Sequence, residues 1–292
     1  RIFIDKPDLE AREKILEVHT KNKKMGKNIN LNVIAQKTVG LAGADLENIM
    51  NEAAIFAAKG KNKTVSQKDI DNAVEKVALG PEKRSRKLSE KEVRITAYHE
   101  VGHAIVGHLC PESDALHKIS IVSRGNALGV TWFLPQEDQF TTSKQKFLDE
   151  ICGLLGGRAA EELIFKEITT GASNDLERAS AIARNMAMRY GMGDDDLGLV
   201  TYGEKQGSMF QGVDPSTARN YSEEQARNID DFVRDTINKQ YTRALGMLKK
   251  HKTKLESITK TLLKTETMDK DEFVEIFTGK KAKKRSFRRP VR

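Results

Sequence analysis

The chain has 292 residues, with many charged side chains (32%), few aromatic ones (6%) and only two cysteines. This composition predicts a mainly helical protein and excludes a disulfide framework. The chain contains no run of 18 apolar residues, so no membrane span is predicted. The net charge of +8 is concentrated in eight basic residues between 280 and 292, and the remaining 42 basic residues balance 42 acidic ones. We therefore expect no nucleic-acid partner for the body of the chain.

The first part of the chain predicts four helices joined by short turns. Asp8 is placed to cap the first helix, and residues 31–34 supply apolar positions for a short second one. The third helix is predicted to begin at Ala44, after a glycine-rich break. Ser66 opens the fourth helix, with Asp69 three residues later in a capping-box spacing. A small helical domain follows from this pattern.

A domain boundary is predicted after residue 80. Gly80 and Pro81 are helix breakers, and a run of charged residues follows them. Beyond it, Ser89 and Glu92 have the spacing of a capping box, so they predict the start of a long helix. Pro111 marks the end of that helix.

The rest of the chain, after Pro111, is predicted to form one β-hairpin among helices. Residues 118–122 and 129–134 are rich in β-branched and aromatic side chains, which is typical of paired strands. Ser173 or Asn174 is predicted to cap a later helix, and residues 222–265 form a long amphipathic stretch that packs one face on a core. The predicted fold class is therefore mainly α, with a small β-hairpin or sheet.

The C-terminal segment 280–292 is predicted to be a basic, disordered tail. It holds the excess positive charge and no acidic residue. The alternative is a segment that binds anionic lipid or RNA.

An HExxH motif in the long predicted helix carries the chemical information. His99 and His103 are four residues apart, so their imidazoles lie one turn apart on the same face and can share a zinc ion. Glu100 is rotated by about 100° from His99. Its carboxylate is then beside the metal, where it can take a proton from bound water. The alternative is two histidines on an ordinary helix; the spacing within a helix favours a zinc peptidase.

A catalytic zinc ion needs a third protein ligand and keeps its fourth position for water. Three downstream acids are candidates, Glu161, Glu162 and Asp175, and their spacing does not choose among them. The alternative for Asp175 is an acidic residue in the first turn of a helix, where the helix dipole favours it. The alternative for the two glutamates is a solvated face or an ion pair. His108 is only five residues after His103, so we interpret it as structural.

One edge of the predicted hairpin is a candidate peptide-binding site. An extended substrate could add a strand there through main-chain hydrogen bonds, which would give sequence-tolerant binding. The alternative is a hairpin that only packs against the core.

The region from about residue 89 to residue 279 resembles the peptidase domain of FtsH, the membrane-anchored ATP-dependent zinc metalloprotease. Three ordered motifs carry the resemblance: 99–103, 154–162 and 170–176. The resemblance implies that Asp175 is the third ligand of Zn²⁺ and that Glu100 is the catalytic residue. It also implies a zinc metallopeptidase domain over residues 81–279.

Residues 1–80 look like the small helical lid subdomain of an AAA ATPase. The similarity is carried by four short segments: 5–8, Arg12, 18–20 and 43–46. It implies that His19, Gly43 and Ala44 border the adenosine of ATP, which the full-length protein would bind with Mg²⁺.

The chain departs from the family pattern because it holds no GxxxxGK[ST] motif, so we do not expect it to hydrolyse ATP alone. We interpret it as a C-terminal fragment or a truncated member, with an ATPase core and a membrane anchor upstream. The resemblance implies a homo-hexameric ring that degrades unfolded or membrane-extracted polypeptides. These domains would lie on the cytoplasmic side of a bacterial membrane, or on the matrix or stroma side in an organelle.

Together, the motifs and the resemblance predict a zinc-dependent endopeptidase. The alternative is a non-catalytic module for hexamerisation or nucleotide binding, in which zinc is merely structural. The intact Glu100 and the lack of an evident fourth ligand favour the enzyme.

Overall fold

The computed structural model describes residues 5–83, 88–125, 127–135, 138–139, 141–203 and 220–280. Within these ranges the fold is mainly helical with one small antiparallel sheet, as the sequence predicts. The predicted tail, 280–292, lies outside the described residues except for Lys280. No helix in the described part of the chain combines the length and apolarity needed to cross a bilayer.

Four helices make up the N-terminal part: α1 (Leu9–Thr20), α2 (Leu31–Lys37), α3 (Gly43–Lys59) and α4 (Gln67–Leu79). The predicted caps are present, because the Asp8 carboxylate accepts a hydrogen bond from the backbone N–H of Ala11. Ser66 and Asp69 form the predicted reciprocal capping box at the start of α4. We call these four helices the lid helices.

The lid helices have a hydrophobic cluster of their own. Its fully buried members lie between residues 16 and 74 and include Leu16, Leu46 and Ile70. Trp132, from the second part of the chain, packs against this cluster. The separate cluster favours the predicted domain division near residue 80.

The second part contains the remaining elements: α5 (Glu90–Leu109), β1 (Ala115–Ser120), β2 (Val130–Leu134), α6 (Lys144–Phe165), α7 (Ser173–Met188), α8 (Glu223–Lys250), α9 (Lys252–Thr265), β3 (Thr267–Asp269) and α10 (Lys270–Thr278). Ser89 is the N-cap of α5 and exchanges hydrogen bonds with Glu92, as predicted. Apolar side chains from α5, α6, α8, α9 and α10 share the largest buried cluster with those of the sheet.

The sheet has the order β2–β1–β3, and both pairings are antiparallel. The predicted hairpin is confirmed, since β1 and β2 pair from Ala115 with Leu134 to Ser120 with Val130. The sequence did not predict β3, which is three residues long and lies between two helices. Among the described residues β2 pairs only with β1, so it forms one edge of the sheet.

One prediction about the helices needs correction, and another gains detail. Neither Ser173 nor Asn174 caps α7, because a 3₁₀ turn at Thr170–Ala172 leads directly into the helix and Ser173 already has helical dihedrals. Ala172 takes the N-cap position without a side-chain hydrogen bond. The stretch 222–265 is divided into α8 and α9 at His251, whose backbone leaves the helical region.

Helices α5 and α6 cross at very short range. A methyl group on Gly102 would lie 2.5 Å from the carbonyl oxygen of Gly156. A methyl group on Gly156 would lie 2.8 Å from the carbonyl oxygen of Gly102. Only glycine permits this backbone approach, which brings α6 against the HExxH motif.

Ion pairs join the lid helices to the second part of the chain. Arg12, which is buried, lies 3.0 Å from a carboxylate oxygen of Asp138. Glu75 on α4 pairs with Lys118 at 2.8 Å and with the buried Arg124 at 3.0 Å. These contacts hold the sheet against the lid helices.

Candidate metal centre

Both motif histidines lie on the buried part of helix α5. Every residue from Thr96 to Gly107 is buried. The Nε2 atoms of His99 and His103 are 3.0 Å apart, because a four-residue spacing stacks the two side chains on one helix face. The local sequence alone therefore produces a pair of converging nitrogen atoms.

Asp175 completes a triangle of donor atoms from the first turn of α7. Its Oδ2 atom lies 3.2 Å from Nε2 of His99 and 3.4 Å from Nε2 of His103. Among the described residues, these three side chains form the one group of histidine, cysteine or acidic ligands compact enough to hold a metal ion. Their carboxylate and imidazole donors are the types found in catalytic zinc sites.

The dimensions of the triangle fit zinc. Tetrahedral coordination with bonds of about 2.0 Å separates neighbouring ligand atoms by about 3.3 Å. The three edges observed here are 3.0, 3.2 and 3.4 Å. The donor set is therefore already close to the arrangement that a four-coordinate ion requires, with three of the four ligands supplied by the protein.

Outer hydrogen bonds orient both imidazoles toward the triangle. Nδ1 of His103 donates to the carbonyl oxygen of Gly153 at 2.8 Å, and Nδ1 of His99 donates to Oε1 of Glu161 at 2.6 Å. Because each Nδ1 carries the hydrogen, each neutral ring has its lone pair on Nε2. Such outer partners fix the tautomer and increase the basicity of a metal-binding histidine.

The three acidic candidates have different partners. Asp175 reaches both Nε2 atoms, whereas Glu161 contacts the opposite nitrogen of His99 and also accepts from Thr169. Glu162 accepts a hydrogen bond from the Tyr241 hydroxyl. The geometry therefore groups Asp175 with the two Nε2 atoms, places Glu161 on the other side of the His99 ring, and places Glu162 with neither.

The carboxylates make this a site for positive charge. Burial lowers the pKa of His99, but hydrogen bonds to Asp175 and Glu161 outweigh it and raise this pKa to about 10. Burial raises the pKa of Asp175, yet the two histidines bring it well below its usual range. The pKa of Glu161 is also lowered by His99 and Thr169 despite its burial. Both acids are thus anionic at neutral pH and suited to neutralise a cation.

Helix α6 closes the other side of the imidazole pair at Gly157. A methyl group there would lie 2.6 Å from Nε2 of His103 and 2.6 Å from Cε1 of His99. No side chain larger than hydrogen fits without moving the rings. Gly157 thus allows a helix backbone to pass directly against the two imidazole rings.

Glu100 is buried next to the histidines and contacts β2. Its Oε2 atom lies 2.7 Å from the hydroxyl oxygen of Thr131. A methyl group on Gly129 would lie 2.7 Å from Oε1 of Glu100, so the carboxylate fills the space beside that glycine. Burial raises the pKa of Glu100, while both histidines and the Thr131 hydrogen bond oppose that effect.

Comparison with known families decides which kind of site this is. The model of peptidase family M41 matches residues 86–276, which include the motif, Glu161 and Asp175. The chain belongs to peptidase family M41. The model of the AAA+ lid domain matches residues 28–72 of the same chain.

Curated relatives of this M41 chain carry the name ATP-dependent zinc metalloprotease FtsH. FtsH 3 of Symbiobacterium thermophilum is 47% identical over 277 residues, which are 94% of this chain and 44% of the relative. FtsH of Thermotoga maritima is 44% identical over 279 residues, 95% of this chain and 46% of the relative. The chain spans less than half the length of these relatives. The sequence-based identification as an FtsH-type zinc metalloprotease is confirmed at the level of the family.

The residues predicted to border a nucleotide lie where α1 meets α3. Gly43 is the first residue of α3 and Ala44 the second, and a methyl group on Gly43 would lie 3.9 Å from Cδ1 of Ile15. His19 is one turn beyond Ile15, in the last turn of α1. The lid helices therefore place the N-terminus of α3 against the helix that carries His19.

Three residues of this M41 site were not identified from the sequence: Gly129, Thr131 and Gly157. Glycine weakens a helix, so the pair of glycines at 156–157 indicates that another element approaches closely there. Thr131 and Gly129 carry no comparable local signal. His108 is not part of this donor group, and its ring packs against Phe273 and Phe277, which agrees with a structural role.

Proposed function

We propose that His99, His103 and Asp175 bind one zinc ion and that Glu100 acts as general base in peptide-bond hydrolysis. The observation that carries this proposal is the triangle of three donor atoms, 3.0 to 3.4 Å apart, with a buried carboxylate on the next residue of the same helix. Membership of family M41 supports the same reaction class.

A bound zinc ion would supply Lewis-acid polarisation of the scissile carbonyl and increase the acidity of water. Glu100 would carry out the proton transfers. Its carboxylate accepts a proton from the attacking water, and the same carboxyl group then gives a proton to the nitrogen of the leaving amine. The proton thus passes from water to the new amino terminus, and the enzyme returns to its starting state.

The outer edge of β2 is the proposed binding site for an extended substrate. Among the described residues this edge has no strand partner, and Thr131 on the same strand contacts Glu100. A peptide added to the edge would bind mainly through its backbone, so side-chain identity would matter little. Unfolded and membrane-extracted polypeptides have this property.

Coupling to ATP belongs to the whole protein. The name of the relatives, which calls them ATP-dependent, and the AAA+ lid match support a nucleotide site in the whole protein, and we propose that His19, Gly43 and Ala44 border it, with Mg²⁺ bound beside ATP. We further propose a homo-hexameric, membrane-anchored assembly with these domains on the cytoplasmic, matrix or stroma side. Light scattering of the full-length protein in detergent tests this, with six chains per particle expected and a stable monomer contradicting it.

A non-catalytic module with structural zinc is the competing function. Structural zinc sites are almost always closed by four protein ligands. Among the described residues three ligands come together, His99, His103 and Asp175. Glu100, which follows His99 in the sequence, is not one of them. These features favour catalysis.

Glu100→Gln tests the catalytic role. The full-length variant should retain zinc but lose casein cleavage by at least about 100-fold, the lower end of what general acid–base catalysis contributes. Zinc content is measured by atomic emission and cleavage by release of labelled peptides in the presence of ATP. Cleavage at the wild-type rate by this variant would reject the proposal.

Asp175→Asn tests the ligand set, with Glu177→Gln on the same helix as the matched control. Glu177 is exposed, so its neutralisation should change neither zinc content nor cleavage. Asp175→Asn should reduce both. Wild-type protein that holds zinc but shows no chelator-sensitive cleavage would instead support the non-catalytic module.

A further inference from the structure

Strand β2 holds the carboxylate of Glu100 through one side chain. The hydroxyl oxygen of Thr131 lies 2.7 Å from Oε2 of Glu100 and 2.8 Å from the Glu100 carbonyl oxygen. A hydroxyl group has one hydrogen to donate. The helix already offers that carbonyl an N–H group four residues later, and a carboxylate is the stronger acceptor. We therefore assign the hydrogen to Oε2.

The second oxygen of Glu100 is confined from another direction. Gly129 approaches so closely that a methyl group on it would lie 2.7 Å from Oε1 and 2.8 Å from Cγ of Glu100. The same methyl group would lie 2.8 Å from Cγ2 of Thr96, one helical turn earlier. Contacts on both sides therefore limit the rotamers that Glu100 can adopt.

General-base catalysis depends on this confinement. Proton transfer requires the base within about 2.6–3.2 Å of the atom that carries the proton. A glutamate side chain has several staggered rotamers, and only some would bring its carboxylate to the reacting water. Among the described residues, Thr131 supplies the hydrogen bond that this carboxylate accepts.

We propose that Thr131 is a positioning residue, whose hydroxyl holds Oε2 of Glu100 so that Oε1 is presented to the attacking water. This inference rests on the proposed role of Glu100 as general base. Among the described residues the hydrogen bonds of the Thr131 hydroxyl all go to Glu100, so the side chain acts through the glutamate, whereas a peptide on the edge of β2 would bind the backbone of the strand. Loss of the hydroxyl should therefore affect the chemical step, while zinc binding and substrate affinity remain.

Two substitutions separate the hydroxyl group from the shape of the side chain. Thr131→Val keeps a β-branched side chain suited to a strand and removes the hydrogen bond. Thr131→Ser keeps the hydroxyl and removes a methyl group. Because Thr131 is paired with Ile119 through the backbone, neither change removes a hydrogen bond of the sheet.

The test measures kcat and KM for a fluorogenic peptide, and zinc content, in full-length zinc-loaded protein with ATP. Thr131→Val should lower kcat by about 10- to 100-fold, part of the contribution of general-base catalysis. KM should change by less than about twofold, zinc content should be unchanged, and Thr131→Ser should restore kcat to within about threefold of wild type, since only the hydroxyl matters.

Several results would overturn the inference: wild-type kcat in Thr131→Val, an equal loss in Thr131→Ser, or loss of zinc from Thr131→Val. The first two would show that the hydroxyl is unnecessary, and the third that Thr131 supports the metal ligands. Glu100→Gln in the same series keeps the two proposals apart. Wild-type cleavage by that variant rejects the function proposed for Glu100, whereas an inactive Glu100→Gln with a fully active Thr131→Val rejects only the role of Thr131.

Discussion

Nδ1 of His99 lies 2.6 Å from Oε1 of Glu161, while Nε2 of the same ring faces Asp175. The imidazole therefore lies between two carboxylates with different tasks. In the proposed zinc site Asp175 would face the metal directly, and Glu161 would act only through the ring. Glu161 is itself fixed by the hydroxyl and backbone N–H of Thr169, so its orientation is well determined.

Glu161→Gln should weaken zinc binding without removing a zinc ligand. The amide can still bond to His99, but it no longer carries the negative charge that increases the basicity of the ring. Substitutions of such outer partners cost about 10- to 100-fold in metal affinity or activity. The dissociation constant for zinc, measured by competition with a chromogenic chelator, should rise accordingly.

The neighbouring glutamate provides the control for that experiment. Glu162 accepts a hydrogen bond from Tyr241, and the described hydrogen bonds of His99 and His103 do not include it, so Glu162→Gln should leave zinc affinity within about twofold of wild type. Equal weakening by both substitutions would show that general loss of negative charge, and not the bond to His99, controls affinity.

Gly157→Ala should disrupt the metal centre. The added methyl group would lie 2.6 Å from His103 Nε2, so the imidazoles or the helix must move. A displacement of about 1 Å can cost about 100-fold in rate. We expect reduced zinc content and a loss of casein cleavage of at least that size.

Gly153→Ala, one turn earlier on α6, is the matched substitution. Its methyl group would meet Cα of Gly107 at 4.0 Å, an ordinary contact, and its carbonyl oxygen would still accept from His103. Because alanine is the better helix former by about 1 kcal/mol, this variant should bind zinc normally and unfold at equal or higher temperature. Zinc loss in both variants would contradict a specific role for Gly157.

His117 should make the folded protein less stable in acid. Burial lowers its pKa, Lys37 lowers it further, and Glu75 and Asp71 only partly compensate. The folded state therefore binds fewer protons there than the unfolded state, whose pKa is about 6.5. By linkage, stability falls as the pH drops through about 6.5 toward the lower pKa of the folded state.

Urea denaturation at pH 8 and pH 5 of wild type and His117→Gln measures this contribution. The glutamine variant cannot titrate at this position, so its free energy of unfolding should fall less between the two pH values. Equal losses in both proteins would show that His117 does not contribute to acid sensitivity.

Local features of the site and fold could be predicted from the sequence. The caps at Asp8, Ser66 and Ser89 were correct because a cap depends on residues within one turn. The convergence of His99 and His103 followed from helix geometry in the same way. The wrong cap of α7 arose because a preceding 3₁₀ turn replaced the extended residue that capping requires.

Features that depend on tertiary packing could not be derived from spacing. Asp175 is 72 positions after His103, and only the packing of α7 against α6 brings it to the triangle; the family resemblance, not the spacing, pointed to it. Glu161 and Glu162 are adjacent in sequence yet face different partners. Thr131 and Gly129 meet Glu100 because the sheet lies against α5, which no local pattern reveals.

Successive side chains of β2 face opposite directions. Trp132 packs against the hydrophobic cluster of the lid helices, and Thr131, one residue earlier, bonds to Glu100. A shift of the lid helices that moved the indole would therefore displace the threonine hydroxyl through a single peptide unit. If Thr131 positions Glu100 as proposed, the rate of peptide hydrolysis would then respond to movements of the lid helices, although no ligand links the two parts of the chain.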